Sequence, residues 1–288
     1  MPQPLIELGG QPGGPILHLA VANGFVPETY LPLLRPFMSQ YRAVSAVPRA
    51  LWGDQAPPPL ADAPTWQHIA DDLLAALECY RLEQVVAIGH SFGGIASMNA
   101  VIAQPWRFRA LVLLDPTILD EQIVDAIAQA MQLGISDQHP LAQSALKRKR
   151  HFESAEAFYA RYRDNRVFAD WDDEALRLYA EHGTVPAPEG GVTLRFSAEW
   201  EAFYFSTGFP QTWQALPKLN GLVPTLIVRG THSDTYTAES AEKVARLVPA
   251  ATHATVPGGH LFPHSAPRQT GRLIADWLRG QGLPAPAE

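Results

Sequence analysis

The chain has a single cysteine, Cys79, among its 288 residues, and that scarcity removes whole classes of construction. An intrachain disulfide needs two thiols and a cysteine-built zinc centre needs more, so neither is expected, and the usage fits a reducing, cytoplasmic setting. Basic residues are also in deficit. With 22 Lys and Arg against 29 Asp and Glu, the formal charge is -7, the wrong sign for a protein whose main partner is nucleic acid, because neutralising phosphates takes a surplus of cations. Nowhere do about 18 apolar residues run without interruption, so no membrane span is expected. The opening MPQPLIELGG lacks the basic and then apolar pattern of an export leader. No phosphate-binding glycine loop, dinucleotide fingerprint or metal-ligand cluster is visible, so the expected cofactor is none. Cys79 itself lies in DDLLAALECY at helical spacing and reads as a buried helix residue rather than a reactive thiol.

What is present is an alternation of short apolar, β-branched runs with helical patterns. The runs are ILHLAVA (16–22), YRAVSAV (41–47), QVVAIGH (84–90), RALVLLD (109–115), PTLIVRG (224–230) and HATVP (253–257), with LIEL (5–8) as a candidate edge strand. Helical segments are expected near 28–39, 65–80, 92–103, 238–248 and 268–279, with Thr65 as a candidate cap. Continuous apolar strands of this kind are buried on both faces, so the fold class is α/β, a mostly parallel sheet with helices on either side. The proline-rich QAPPPLADAP (55–64) reads as an irregular loop.

From about 116 to 217 the alternation stops and the pattern becomes helical and aromatic, with Phe158, Tyr162, Trp171, Tyr179, Trp200 and Tyr204 among its rings. A stretch of that length is too long for a loop inside a compact domain and should carry structure of its own. The expected organisation is a core of residues 1–115 and 218–288 with a helical cap at 116–217, placed over the carboxyl ends of the strands where open α/β sheets bind ligands. Most of the aromatics are expected to form the cap's own core and a few to face a pocket. The run KRKR (147–150) is expected to be a solvated helix face with no catalytic role.

The sharpest motif is GHSFGG, residues 89–94. Gly89-His90-Ser91-Phe92-Gly93 fits G-x-S-x-G, with a predicted strand before it and a predicted helix after it. Glycines on both sides let the chain turn sharply and project the Ser91 hydroxyl over the sheet, at a helix N-terminus that favours negative charge. A serine hydroxyl needs a base, and His260 in VPGGHLFP follows the last predicted strand, where it falls at the same edge of the sheet. His264 is a weaker competitor. His18 and His253 read as structural, and His90 as a neighbour that packs beside the site. The base needs an orienting carboxylate. Two aspartates end strands: Asp234 in RGTHSD is the first choice and Asp115 in LVLLDP the alternative.

Through GHSFGG, RGTHSD and GGH the chain resembles an α/β-hydrolase-fold serine hydrolase with a cap domain, over nearly its full length. The order Ser91, Asp234, His260 is that of the family, and Asp115 preserves it equally. The resemblance implies an oxyanion hole of two backbone amides, one from Phe92 and one from the loop after an early strand. Many members carry His-Gly in that loop; here Asn23-Gly24-Phe25 stands there, and Phe25 would give the second amide. The implied activity is hydrolysis of a carboxylic ester of a small to medium, largely apolar molecule through an acyl-enzyme. Carbon–carbon bond hydrolysis, acyl transfer and perhydrolysis are alternatives on the same framework, and a ligand-binding relative is a third class. The expected partner is a small-molecule acyl substrate; a homodimer is left open.

Overall fold

A computed structural model describes residues 4–53, 55–60 and 65–286. Seven strands form the main sheet: β1 (Leu5–Gly10), β2 (Ile16–Ala20), β3 (Arg42–Ala46), β4 (Val85–His90), β5 (Phe108–Leu114), β9 (Thr225–Gly230) and β10 (Thr252–Val256). Their spatial order is β1-β3-β2-β4-β5-β9-β10. β1 is an antiparallel edge strand paired with β3, and every other neighbouring pair is parallel. Three further short strands, β6 (His151–Phe152), β7 (Thr184–Pro186) and β8 (Val192–Leu194), make a separate antiparallel sheet in the order β6-β8-β7.

Successive side chains of a strand point to opposite faces, and the central strands are apolar on both. Leu17, Leu19, Val86, Ile88, Val112 and Val228 pack on one side with Ile274, Trp277 and Leu278. Val85, Ala87, Leu111, Leu113 and Ile227 pack on the other with Leu73, Leu77, Ile95 and Met98. The covering helices are α12 (Pro267–Gly280) on the first face, and α2 (Gln67–Cys79) and α3 (Phe92–Ala103) on the second. Each fully buried aliphatic contributes roughly 1.5–3 kcal/mol, so both layers are needed to hold the sheet.

Three local expectations are corrected. The helix expected at 28–39 is broken into the 3-10 turn Pro27–Tyr30, the short α1 (Leu31–Leu34) and the 3-10 turn Arg35–Ser39. Pro27, Pro32 and Pro36 explain the breaks, because each removes a donor from the helical ladder. Thr65 offers α2 its carbonyl rather than its hydroxyl, accepting from His68 Nδ1 at 2.7 Å, while the N-cap position is Trp66. Cys79 is exposed; the buried stripe of α2 runs through Leu73, Leu74 and Leu77, and position 79 falls off it. Of the proline-rich loop, residues 61–64 lie outside the described part.

Between β5 and β9 the chain forms α4 (Glu121–Gln132), α5 (Pro140–Leu146), α6 (Ala155–Arg163), α7 (Asp173–His182), α8 (Ala198–Phe205) and α9 (Thr212–Leu219), together with the small sheet. α9 runs across the expected boundary at 217 and packs on α3 and on α10 (Ala238–Leu247). The aromatics of this segment do not form a core of their own. Phe158, Tyr162, Phe168, Trp171 and Tyr179 extend the first cluster, and Trp200, Tyr204 and Trp213 extend the second, so the inserted segment is continuous with the body beneath it. No helix among the described residues is long and apolar enough to cross a membrane.

Candidate active site

Strand register brings the site together. His90 of β4 lies level with Leu114 of β5, and Leu114 lies level with Val228 of β9. Ser91 and Asp115 therefore leave adjacent strands at the same height. The Ser91 N–H donates to the Leu114 carbonyl at 3.1 Å, and the Asp115 N–H to that of Val228 at 2.8 Å.

Ser91 has φ 57° and ψ −125°, a backbone state that a side chain adopts only under constraint. The constraint is the packing of its glycine neighbours. A methyl group on Gly89 would stand 2.6 Å from the Gly93 carbonyl oxygen, and one on Gly93 would stand 2.5 Å from the carbonyl oxygens of both Ala20 and Val21. The turn fits only because those methyl groups are missing. Phe92 follows as the first residue of α3, where an N–H has no carbonyl one turn back within its helix.

His260 lies just before the short helix α11 (Phe262–Ser265). Its Nε2 is 2.8 Å from Ser91 Oγ and its Nδ1 is 2.7 Å from Asp115 Oδ2. Because a carboxylate only accepts, Nδ1 carries the proton and Nε2 is left to accept from the Ser91 hydroxyl. Asp115 is fully buried and is met by three donors: His260 Nδ1, the Gly230 N–H at 2.7 Å and the Ser233 hydroxyl. Thr117 Oγ1 lies 3.2 Å from Ser91 Oγ.

The structure thus brings Ser91, His260 and Asp115 together and leaves Asp234 out. Asp234 is exposed, and among the described residues its carboxylate meets only the neighbouring Thr235 hydroxyl, at 3.5 Å. The cause is one residue of phase in the turn after β9. Ser233 points inward to Asp115 and accepts the N–H groups of Thr235 and Tyr236, which directs the next side chain outward. Ser233 and Thr117 carried no motif in the sequence.

The other four histidines weighed in the sequence have structural partners instead. His90 donates from Nε2 to the His260 carbonyl at 2.9 Å, so its Nδ1 accepts from the Tyr30 hydroxyl at 2.7 Å, and that hydroxyl accepts the Ala22 N–H at 3.0 Å. Burial, with His260 and His264 nearby, holds His90 well below the ordinary histidine pKa, so it stays neutral. His264 stacks on Trp171 at 4.0 Å and hydrogen-bonds Thr29 at 3.1 Å; burial lowers its pKa to about 3. His18 accepts the Ala46 N–H at 3.0 Å through Nε2, while its buried Nδ1 has no partner among the described residues. His253 lies in β10 and contacts the Val248 carbonyl at 3.2 Å.

The loop 22–25 lies across from Ser91. Gly24 has φ +85°, and the tight turn it makes spends the Phe25 N–H on the Ala22 carbonyl at 3.3 Å. The amide expected to be free is thus engaged, in a bond long enough to be weak. Asn23 Nδ2 donates to the Glu201 carbonyl at 3.0 Å, and the Tyr179 hydroxyl to the Gly24 carbonyl at 3.0 Å. Behind them Arg148 forms an ion pair with Glu201 and donates to the hydroxyls of Tyr162 and Tyr179, each at 2.9 Å. This corrects the expectation for KRKR. Lys147, Lys149 and Arg150 are exposed, but Arg148 is turned inward. α5 ends at Leu146, so the run lies past the helix and its side chains diverge. Burial works against the Arg148 charge, yet Tyr179, Glu201 and Tyr162 around it hold its pKa well above the ordinary value. Burial raises that of Glu201, opposed by Arg148.

Ser91, Phe92, Phe25 and His260 open onto a cavity of about 650 Å³ whose opposite wall includes Ile127, Tyr162, Phe168, Tyr204, Phe205 and Phe209 of the inserted segment. Arg148 and Glu201 reach it as its buried charges. No group of three or more metal-ligating side chains occurs among the described residues.

The chain belongs to the α/β hydrolase fold family, whose model matches residues 53–267. It is 26% identical over 212 residues to the 2-(acetamidomethylene)succinate hydrolase of Mesorhizobium japonicum, across 73% of this chain and 69% of that one. Among solved structures, that of an E-2-(acetamidomethylene)succinate hydrolase superposes with a TM-score of 0.75 at 21% identity, covering 96% of this chain and 94% of the other. The enol-lactonase of Burkholderia xenovorans superposes with a TM-score of 0.64 at 16% identity, covering 96% of each. The fold is therefore that of a hydrolase.

Proposed function

We propose that the protein is a serine hydrolase that opens a carboxylic ester of a small to medium, largely apolar molecule through an acyl-enzyme. The observation that carries this is the unbroken chain from Ser91 Oγ to His260 Nε2, at 2.8 Å, and from His260 Nδ1 to Asp115 Oδ2, at 2.7 Å, built on a strained Ser91 backbone. His260 takes the hydroxyl proton as Ser91 Oγ bonds to the carbonyl carbon. It gives that proton to the leaving oxygen as the ester bond breaks, then takes one from the water that bonds to the acyl carbon and returns it to Ser91 Oγ as the acyl–serine bond breaks and the acid is released. Asp115 fixes the imidazole tautomer and offsets its charge. The Phe92 N–H, with that of Phe25 once drawn from its weak turn bond, stabilises the oxyanion. In this reading residues 116–217 are the lid, and the apolar wall of the cavity selects an apolar group.

An amide-type bond is the second reading, because a relative acts on a compound whose name carries an acetamide, while an enol-lactonase, by its name, opens an internal ester. The test is a series of p-nitrophenyl esters of increasing acyl length beside the matching p-nitroanilides, with fluorophosphonate labelling. Ser91→Ala should lose label and lower kcat at least ~10³-fold. Activity retained in Ser91→Ala would overturn the proposal, and anilides turned over faster than esters would shift it to the amide reading.

A further inference from the structure

We infer that Arg148 acts through Tyr179 as a positioning residue for the oxyanion, by way of one continuous line of hydrogen bonds that ends at the Phe25 N–H; this rests on the reading of Ser91 as nucleophile. Arg148 Nη2 donates to the Tyr179 hydroxyl at 2.9 Å, and the Tyr179 hydroxyl donates to the Gly24 carbonyl at 3.0 Å. The Gly24 carbonyl and the Phe25 N–H belong to the same planar peptide and point in opposite directions. Holding one therefore limits where the other can point as it leaves its weak bond to the Ala22 carbonyl, 3.3 Å long. Each donor in such a line polarises the next, so the guanidinium makes the tyrosine a stronger donor, the tyrosine draws charge toward the Gly24 oxygen, and the Phe25 N–H becomes more acidic.

The surroundings support this role. Tyr179 is 2% exposed and does not line the cavity, so it has no contact with a bound substrate. Its ring packs against that of Phe25, 5.4 Å between centroids, which fixes the same residue a second time. Glu201, the partner of Arg148, presses on Gly24, where an added methyl would stand 3.1 Å from its carboxyl carbon, and its carbonyl holds Asn23. An ion pair buried in a mostly apolar wall is weak evidence for stability. Its place against the loop 22–25 gives it a task in the chemistry.

The decisive variant is Tyr179→Phe, which keeps the ring and removes the link, assayed with p-nitrophenyl acetate and with phenylboronic acid, whose tetrahedral adduct on serine needs the same amides. We expect kcat to fall ~10- to 100-fold with KM within about threefold. Boronate affinity should weaken in parallel with kcat/KM, and Tm should stay within a few degrees. Arg148→Lys, which keeps the charge but loses the fork, should show the same pattern in smaller measure, and it carries the test if Tyr179→Phe does not fold. Arg150→Ala, in an exposed pair with Glu199, should leave kcat unchanged. Tyr179→Phe with wild-type kcat, or with a loss in KM alone, would overturn the inference while Ser91 labelling leaves the nucleophile intact. Wild-type protein that neither labels nor turns over would instead remove the reading on which it rests.

Discussion

The carboxyl edge of the main sheet and the inserted segment above it both bury charged groups beside one cavity, and they do so by opposite means. At the edge, Asp115 is placed first by backbone register, with its main-chain N–H on Val228 and its side chain on the Gly230 N–H, and the Ser233 hydroxyl and His260 Nδ1 join it there. In the insert, Arg148 and Glu201 are held by side chains alone: two tyrosine hydroxyls and each other. A charge held by register has its geometry fixed when the sheet forms. A charge held by side chains depends on every partner in the group, and removing one strands the rest.

The largest effect should come from the edge. Asp115→Asn should lower kcat ~10⁴-fold by favouring the wrong imidazole tautomer, while Asp234→Asn, on an exposed side chain, should stay within about threefold. Steady-state kinetics on both variants decides between the two carboxylates, and the reverse ranking would remove Asp115 from the site. Removing a buried charge of the insert should show first in stability. Glu201→Leu leaves the Arg148 charge buried without its counterion and should cost about 3 kcal/mol or more, whereas Glu201→Leu combined with Arg148→Met should recover most of that loss. Urea titration of the single and double variants reads the difference, and equal losses in both would show that the two charges are not coupled. The smallest effect concerns the joint between the regions, where His264 stacks on Trp171 and the Asp172 N–H donates to the His264 carbonyl at 2.9 Å. Burial lowers the His264 pKa to about 3, so the unfolded chain binds its proton more readily than the folded one. The neutral form's contribution is complete above about pH 6.5 and is lost as pH falls toward 3, at a cost near 2 kcal/mol by pH 5. His264→Phe should lessen that slope, to which buried His90 and His18 contribute in the same sense, in denaturation measured from pH 7 to 5; an unchanged slope would count against it.

The same contrast explains what could be read from the sequence. The strands at the centre of the sheet were legible because being buried on both faces demands unbroken apolar runs, as in VVAI and LVLL. Ser91 was legible because its strained turn admits only glycine two residues to either side, at Gly89 and Gly93, and His260 because two glycines and a strand end mark its place. Asp115 against Asp234 was not decidable, since the choice depends on which side chain of the Ser233-Asp234 turn faces inward, a matter of a single residue's phase. Arg148 was hidden for a related reason. Four consecutive basic residues look alike in sequence, and only the end of α5 at Leu146 sends one of them inside. Tyr179, among many aromatics, differs from them through a hydroxyl whose partner is 155 residues away.

Asp115 stands two residues ahead of Thr117, which touches Ser91, so the first residues of the segment between β5 and β9 belong to the site. On the proposed reading of residues 116–217 as a lid, this sets the junction for transplanting it between scaffolds. A graft can start no earlier than residue 118 without taking the carboxylate or the hydroxyl with it. The turn after β9, by contrast, must preserve little more than the inward hydroxyl of Ser233 and the Gly230 N–H. That makes it the place to randomise when a library is wanted that reshapes the mouth of the cavity while leaving the proton path untouched.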